Sequence, residues 1–282
     1  MHPVAVAHLR FYAELNDFVP SDKRQRPVAY RFTGRPSIKD AIEGCGVPHT
    51  EVDLIVVDGV SVGFDYHLRP RERVAVYPVF ERLDVSPLVR LRPEPLRRTA
   101  FILDGHLGKL ARLLRMLGLD AIYCQDSEDG EIVRLAATEQ RIILTRDRGL
   151  LKHASVTHGY CVRSQEPLEQ THEVLRRFDL YSLVKPLSRC IRCNGALERV
   201  EKSAVLSRLP PRTILYYDVF YRCRTCDHIY WPGSHYQNML ITIAHLCEES
   251  SPVAGMGSQE KDLHDEPNTT EHHSDHHRPA AL

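Results

Sequence analysis

Two C-x-x-C pairs, Cys190–Cys193 and Cys223–Cys226, constrain this chain more than any other feature, with 29 residues between them. Four thiolates so spaced favour one tetrahedral Zn²⁺ site, each pair on a tight knuckle. The fold must then bring two distant segments together around a metal. Asn194-Gly195 supplies the backbone freedom that the first knuckle needs. With cysteine in all four positions, this zinc is expected to be structural. The competing reading, four unlinked thiols or a redox pair, is weakened because both pairs fall in one strand-rich segment. Cys124, Cys161 and Cys247 stand apart and are expected as small buried side chains.

Upstream, short apolar runs alternate with helical patterns, which predicts βαβ units and a parallel sheet. One run, 100–103, ends in Asp104, and another, 142–144, ends in Thr145-Arg146-Asp147. Ligands of such sheets gather beyond the carboxyl ends of the strands. If the two strands are neighbours, Asp104 and Asp147 meet there, although 42 residues separate them. Asp126, Glu128, Asp129 and Glu131 lie between. Crowded carboxylates repel unless a cation neutralises them. Mg²⁺ is held by a few carboxylates together with waters and substrate phosphates, a pattern that suits phosphodiester cleavage.

Each acid also has a structural reading. Asp104 and Asp129 could be helix N-caps, Asp147 the start of a turn, and Asp126 and Glu128 solvated loop acids. In the helix after Asp104, Leu107, Leu110, Ala111, Leu114 and Leu117 recur at helical spacing and should face the sheet. Lys109, Arg112 and Arg115 are expected on another face, where Lys109 and Arg112 would hold phosphate. Arg148 and Lys152 are expected near the carboxylates, offsetting charge or holding RNA.

The series LDGHLGKLARLLRMLG, DGEIVRLA and ILTRDRGLL, followed by the paired cysteines and YWPGSHY, resembles the Mut-seven C-terminal RNase family, a branch of the PIN-like nucleases. The likeness covers about residues 100–247. It implies RNA cleavage with Mg²⁺ or Mn²⁺ held by acids. By position, Asp104 matches the first-strand acid and Asp147 the acid of a T-x-D motif. Asp129 and Glu131 match the acids at the middle helix. Some PIN-like relatives carry a further acid two residues beyond T-x-D, where this chain has Gly149.

Residues 1–80 predict a small α+β unit. Strands are expected at 4–12, 28–32, 54–57 and 73–77, with a short helix capped by Ser37 and stopped at Gly44, and a hairpin at Asp58-Gly59. This order, with LIVVDGVSV and RVAVYPV, resembles the ubiquitin-like β-grasp, in its ThiS/MoaD sulfur-carrier branch. That branch works through a free diglycine end. Here Val79-Phe80-Glu81 follow Pro78, so a binding or scaffolding role with a protein partner is expected.

The expected fold is α/β: a PIN-like parallel sheet flanked by helices, preceded by an α+β β-grasp domain and followed by a zinc ribbon. The boundaries read 1–80 for the β-grasp, 81–98 for a proline- and arginine-rich linker, 99–187 for the nuclease domain, 188–247 for the ribbon and 248–282 for a disordered, histidine-rich tail. In the ribbon, 214–222 is expected to be strand-like. Trp231 is expected to pack rather than to stack on bases. Residues 181–247 hold nine Lys/Arg against four Asp/Glu, a balance suited to RNA phosphate. No stretch nears the roughly 20 apolar residues that span a bilayer, and MHPVAVAHLR lacks the features of a signal peptide. A cytoplasmic protein is therefore expected. The reading is a divalent-metal-dependent ribonuclease acting on single-stranded RNA. The alternative is a non-catalytic RNA-binding or adaptor protein.

Overall fold

The computed structural model describes residues 4–78 and 99–248. The expected linker, 81–98, and all but the first residue of the expected tail lie outside the described residues. The described residues form one compact unit containing three sheets.

The first sheet is built from β1 (Ala5–Phe11), β2 (Val28–Phe32), β3 (Val52–Val57), β4 (Val60–Ser61) and β5 (Arg73–Pro78), with α1 (Ile38–Gly44) between β2 and β3. Its order is β2-β1-β5-β3-β4, and only β1 and β5 pair in parallel. Period-two alternation decides which side is buried. Ala7, Leu9 and Phe11 of β1 and Val74 and Val76 of β5 point inward. The Ser37 hydroxyl accepts from the Asp40 amide and caps α1. Asp58 and Gly59 adopt φ of 45° and 90°, the left-handed pair that a tight hairpin needs.

The second sheet follows. It contains β6 (Ala100–Leu103), α2 (Gly108–Met116), β7 (Asp120–Tyr123), α3 (Asp129–Glu139), β8 (Ile142–Thr145), α4 (Arg148–Leu151), β9 (Gly159–Cys161) and α5 (Pro167–Arg177). The order is β7-β6-β8-β9, all parallel. Every residue of β6 and β8 is buried, as a sheet covered on both faces demands. Phe101, Leu103, Ile142 and Leu144 pack against α2 and α5. Ile102 and Ile143 face the other way, onto Ile132, Val133 and Ala136 of α3 and Leu150 and Leu151 of α4.

This second face shares one continuous core with the first sheet. Polar contacts follow the same seam. Glu51, 1% exposed, accepts from the Cys161 amide at 2.6 Å and pairs with Arg163 at 3.4 Å. His49 links Glu43 at 2.6 Å to the Val156 carbonyl at 2.8 Å. Arg163 keeps Asp17 at 3.1 Å without Glu51, but the buried Cys161 amide loses its acceptor. Glu51→Ala should therefore cost about 1–3 kcal/mol in denaturant unfolding. An unchanged midpoint would show that the seam contributes nothing.

The third sheet is β10 (Leu197–Val200), then, after α6 (Lys202–Val205) and α7 (Pro211–Tyr216), β11 (Phe220–Cys223) and β12 (Ile229–Tyr230). Two expectations fail here. Residues 214–216 end a helix, with Pro211 at its first position, where proline's missing N–H costs nothing. Residues 234–247 are not ribbon but part of α8 (Ser234–Glu248), which packs Ile243 and Leu246 into the α2/α5 core. Among the described residues no helix is long and apolar enough to cross a membrane.

Candidate active site and metal centre

β6 and β8 are direct neighbours, with Leu103 beside Leu144. Asp104 and Asp147 therefore leave the sheet at the same edge. Thr145, 0% exposed, joins them. Its hydroxyl donates to Asp104 Oδ2 and accepts from the Asp147 amide at 2.8 Å. Sequence reasoning does not single out Thr145 as a functional residue. Its signal is a polar residue closing an apolar strand two positions before an acid.

Both acids also cap helical turns. Asp104 Oδ1 accepts from the His106 amide at 3.0 Å, and Asp147 Oδ1 from the Gly149 amide at 2.6 Å. An ionised carboxylate has about four acceptor sites, so the caps leave room for a ligand. Gly149 stands where a fourth acid would fall. A Cβ there would lie 3.0 Å from Asp147 Oδ1, so a side chain would crowd the carboxylate already present. Gly105 is under tighter constraint, because a Cβ would come within 2.5 Å of the Gln125 carbonyl. Gly105→Ala should force the loops after β6 and β7 apart and cost about 1–3 kcal/mol, read as a drop in melting temperature. No drop would mean that the loops adapt.

Asp129 and Glu131 lie in the first turn of α3, reached through the loop after β7, so they enter from the same rim. Both are exposed, and among the described residues neither carboxylate makes a hydrogen bond or ion pair. Asp129 does not cap the helix: Glu128 occupies that position. Asp126 is an exposed loop acid. The rim is open: the described residues do not bring three of its carboxylates within 4.8 Å of one another.

Lys109 and Arg112 are exposed on α2. Arg115 is not. Three-residue steps fall about 60° short of a full turn, so two steps rotate Arg115 well away from Lys109. At 5% exposed, it donates to the carbonyls of Ala121, Ile191 and Arg192. Arg148 also departs from its expected place on RNA. Its guanidinium donates to the Asp17 and Phe18 carbonyls at 3.3 and 3.5 Å and lies over the Phe18 ring. Lys152 donates to the Glu43 carbonyl. Both cations serve the seam with the first sheet.

The four cysteines converge. Cys190, Cys193, Cys223 and Cys226 hold their sulfurs within 4.8 Å of one another. Two of the separations are 3.6 Å (Cys190–Cys226) and 3.4 Å (Cys193–Cys223). A tetrahedral ion with Zn–S bonds of about 2.3 Å calls for sulfurs about 3.8 Å apart, so the set fits. Burial and the neighbouring sulfurs push the Cys193 thiol up to about 12. A divalent cation would remove that repulsion. Asn194 takes the left-handed turn, at φ 71°, while Gly195 gives close approach: a Cβ would lie 2.8 Å from Cys223 Sγ.

This knuckle is bolted to the parallel sheet. Arg115 holds two of its carbonyls, the Asn194 side chain accepts from the Ala121 amide, and Asn194 Nδ2 donates to Asp120. Asp120 also pairs with Arg141 at 2.7 Å and Arg189 at 3.1 Å. Burial opposes its ionisation, but the bonds from Arg141 and Asn194 outweigh that and hold the carboxyl below the usual range. Asp120 opens β7, and Asp104 follows the end of the adjacent, parallel β6. Knuckle and acidic rim thus lie at opposite ends of the strands, about 13 Å apart along them.

Residues 99–243, just over half the chain, match the family model described as the Mut7-C RNAse domain. The chain belongs to the Mut7-C RNAse family. Residues 4–84 match the Mut7-C ubiquitin model, so the first sheet is the ubiquitin-like part of this Mut7-C protein. Searches of the curated proteins and of the solved structures return no match. The Mut7-C match spans the parallel sheet, all four cysteines and most of α8, the same elements that share the α2/α5 core and the knuckle contacts.

Proposed function

We propose that this Mut7-C protein is a divalent-metal-dependent ribonuclease that cleaves single-stranded RNA at the rim around Asp104 and Asp147. The observation that supports it most is that Asp104 and Asp147 follow adjacent parallel strands, with the buried Thr145 hydroxyl bridging the Asp104 carboxylate and the Asp147 backbone amide. Asp104 and Asp147 would bind Mg²⁺ or Mn²⁺, with Asp129 and Glu131 completing the rim and orienting water. The ion would neutralise the carboxylates, activate a water and stabilise the leaving oxygen. Thr145 keeps the Asp104 side chain in one rotamer. Lys109 and Arg112, exposed one and two turns into the helices after Asp104, would hold the phosphates flanking the cut. Cys190, Cys193, Cys223 and Cys226 would hold a structural Zn²⁺, closed to substrate because all four positions are taken.

The double duty of Asp104 and Asp147 as helix caps favours a second reading, a non-catalytic RNA-binding or adaptor protein. Incubation with labelled single-stranded RNA separates the two. The ribonuclease cuts with Mg²⁺ or Mn²⁺ and stops with a chelator. RNA retained but uncut under every metal would make the adaptor the right description.

A further inference from the structure

The outer face of the ubiquitin-like sheet carries a feature that the site above does not use. Alternation turns His8 and Arg10 of β1 outward, beside Arg73 and Ala75 of β5. Arg31 of β2, paired with Val6, lies on the same face, and Arg71 sits just before β5. Beyond Arg10, the rings of Tyr12 and Tyr77 stack 4.4 Å apart at 14°, and the Arg10 guanidinium lies over Tyr12. Of these side chains, His8, Arg10, Tyr12, Arg71 and Arg73 line a cleft of about 900 Å³. Asp58 is the one acid in that lining, and its Oδ1 is taken by the Arg73 amide. Among the described residues, no carboxylate pairs with the guanidinium of Arg10, Arg31, Arg71 or Arg73.

We infer that this face is a platform for single-stranded RNA, with phosphates along the arginines and a base added to the Tyr12–Tyr77 stack. The inference rests on the ribonuclease reading for its ligand. Positive grooves that track a backbone, with aromatic rings for stacking, are how single strands are held without sequence preference. The inner face of this sheet, not the outer one, packs on the nuclease sheet, and the chain joins the two at the Tyr12 end. Tyr12 begins a six-residue turn, Ala13–Phe18, and the carbonyls of Asp17 and Phe18 accept from Arg148, the residue after Asp147. A 3₁₀ turn of that length spans about 12 Å, a short distance for an extended strand of RNA. The platform would lengthen the footprint well beyond the nucleotides at the rim. It would also give a use to the contact between the ubiquitin-like unit and the nuclease sheet through Glu51, Cys161 and Arg163.

The test uses the full-length protein and a fluorescent oligoribonucleotide of about 12 nucleotides, with binding followed by anisotropy in chelator at several salt concentrations. R10A/R73A should flatten the slope of log affinity against log salt by about 1.4, since each phosphate contact on a single strand contributes about 0.7. Tyr12→Ala should weaken binding roughly tenfold. All three side chains are at least partly exposed, so melting temperatures should stay near wild type. With Mn²⁺, the double variant should cut a dinucleotide as wild type does and a long RNA more slowly. Unchanged slope and affinity in a protein that still cuts would overturn the platform and leave the ribonuclease reading intact. Altered binding in a protein that never cuts would support the platform and overturn the ribonuclease. Preference for poly-glutamate over RNA, lost in R10A/R73A, would show a protein-binding face and overturn the platform.

Discussion

Asp104→Asn and Asp147→Asn should each slow metal-dependent RNA cleavage by about 10²–10³-fold, the range seen when one preorganised electrostatic contact to a reacting phosphate or oxyanion is lost. The two substitutions are chosen because asparagine caps helices as well as aspartate does. A carboxamide oxygen at position 104 would still accept from the His106 amide, with its NH₂ turned to the Thr145 oxygen, and one at position 147 would accept from the Gly149 amide. The caps survive while the negative charge goes. Melting temperature should therefore stay within a few degrees of wild type as the single-turnover rate falls. Asp129→Asn and Glu131→Gln, on the exposed start of α3, should cost less, because neither side chain is fixed by the protein. If both strand-end variants cut at the wild-type rate, the capping role is the whole role of these residues.

Stripping zinc should have an effect of comparable size on stability. The buried core of the third sheet is only Val205, Leu209, Phe220 and Ile229. That is too little apolar surface to order the segment without a staple. Cys₄ zinc sites contribute about 10–16 kcal/mol of apparent binding free energy, so chelation should unfold the segment around 188–232. The damage would not stop there. Arg115 would lose the Ile191 and Arg192 carbonyls, and Asp120 would lose Asn194. A buried charge left with fewer partners costs about 1–3 kcal/mol. Chelator or Cys193→Ser should therefore lower the melting temperature of the parallel sheet as well, followed by circular dichroism against metal content. A chelated protein with native melting would mean that the four sulfurs are not a structural centre.

Much of this architecture is legible in the chain because burial on both faces leaves a plain trace. The runs 100–103 and 142–144 are apolar without alternation, as central parallel strands must be. The hairpin at Asp58-Gly59 and the Ser37 cap are readable for a simpler reason: one local interaction decides each. What the chain hides depends on tertiary partners. Residues 214–216 carry strand-like side chains, but the preceding Pro210-Pro211 starts a helix. The helical spacing of Met239, Leu240, Ile243, Leu246 and Cys247 announces α8, yet its aromatic approach draws attention to the ribbon instead. Arg115 looks like a surface cation until the knuckle carbonyls that bind it are in place. Arg148 looks like an RNA contact until the first sheet arrives beside it. Nothing local to Glu51 foretells a pairing with Arg163 across 112 residues.

The central claim is that Asp104 and Asp147 share one cation. Anomalous scattering from crystals soaked in Mn²⁺ tests it most directly. The account predicts one strong peak at the carboxyl ends of β6 and β8, about 2.1 Å from a carboxylate oxygen of each residue, and separate from the signal at the four cysteines. A well-occupied Mn²⁺ elsewhere on the protein, with neither aspartate among its ligands, would contradict it.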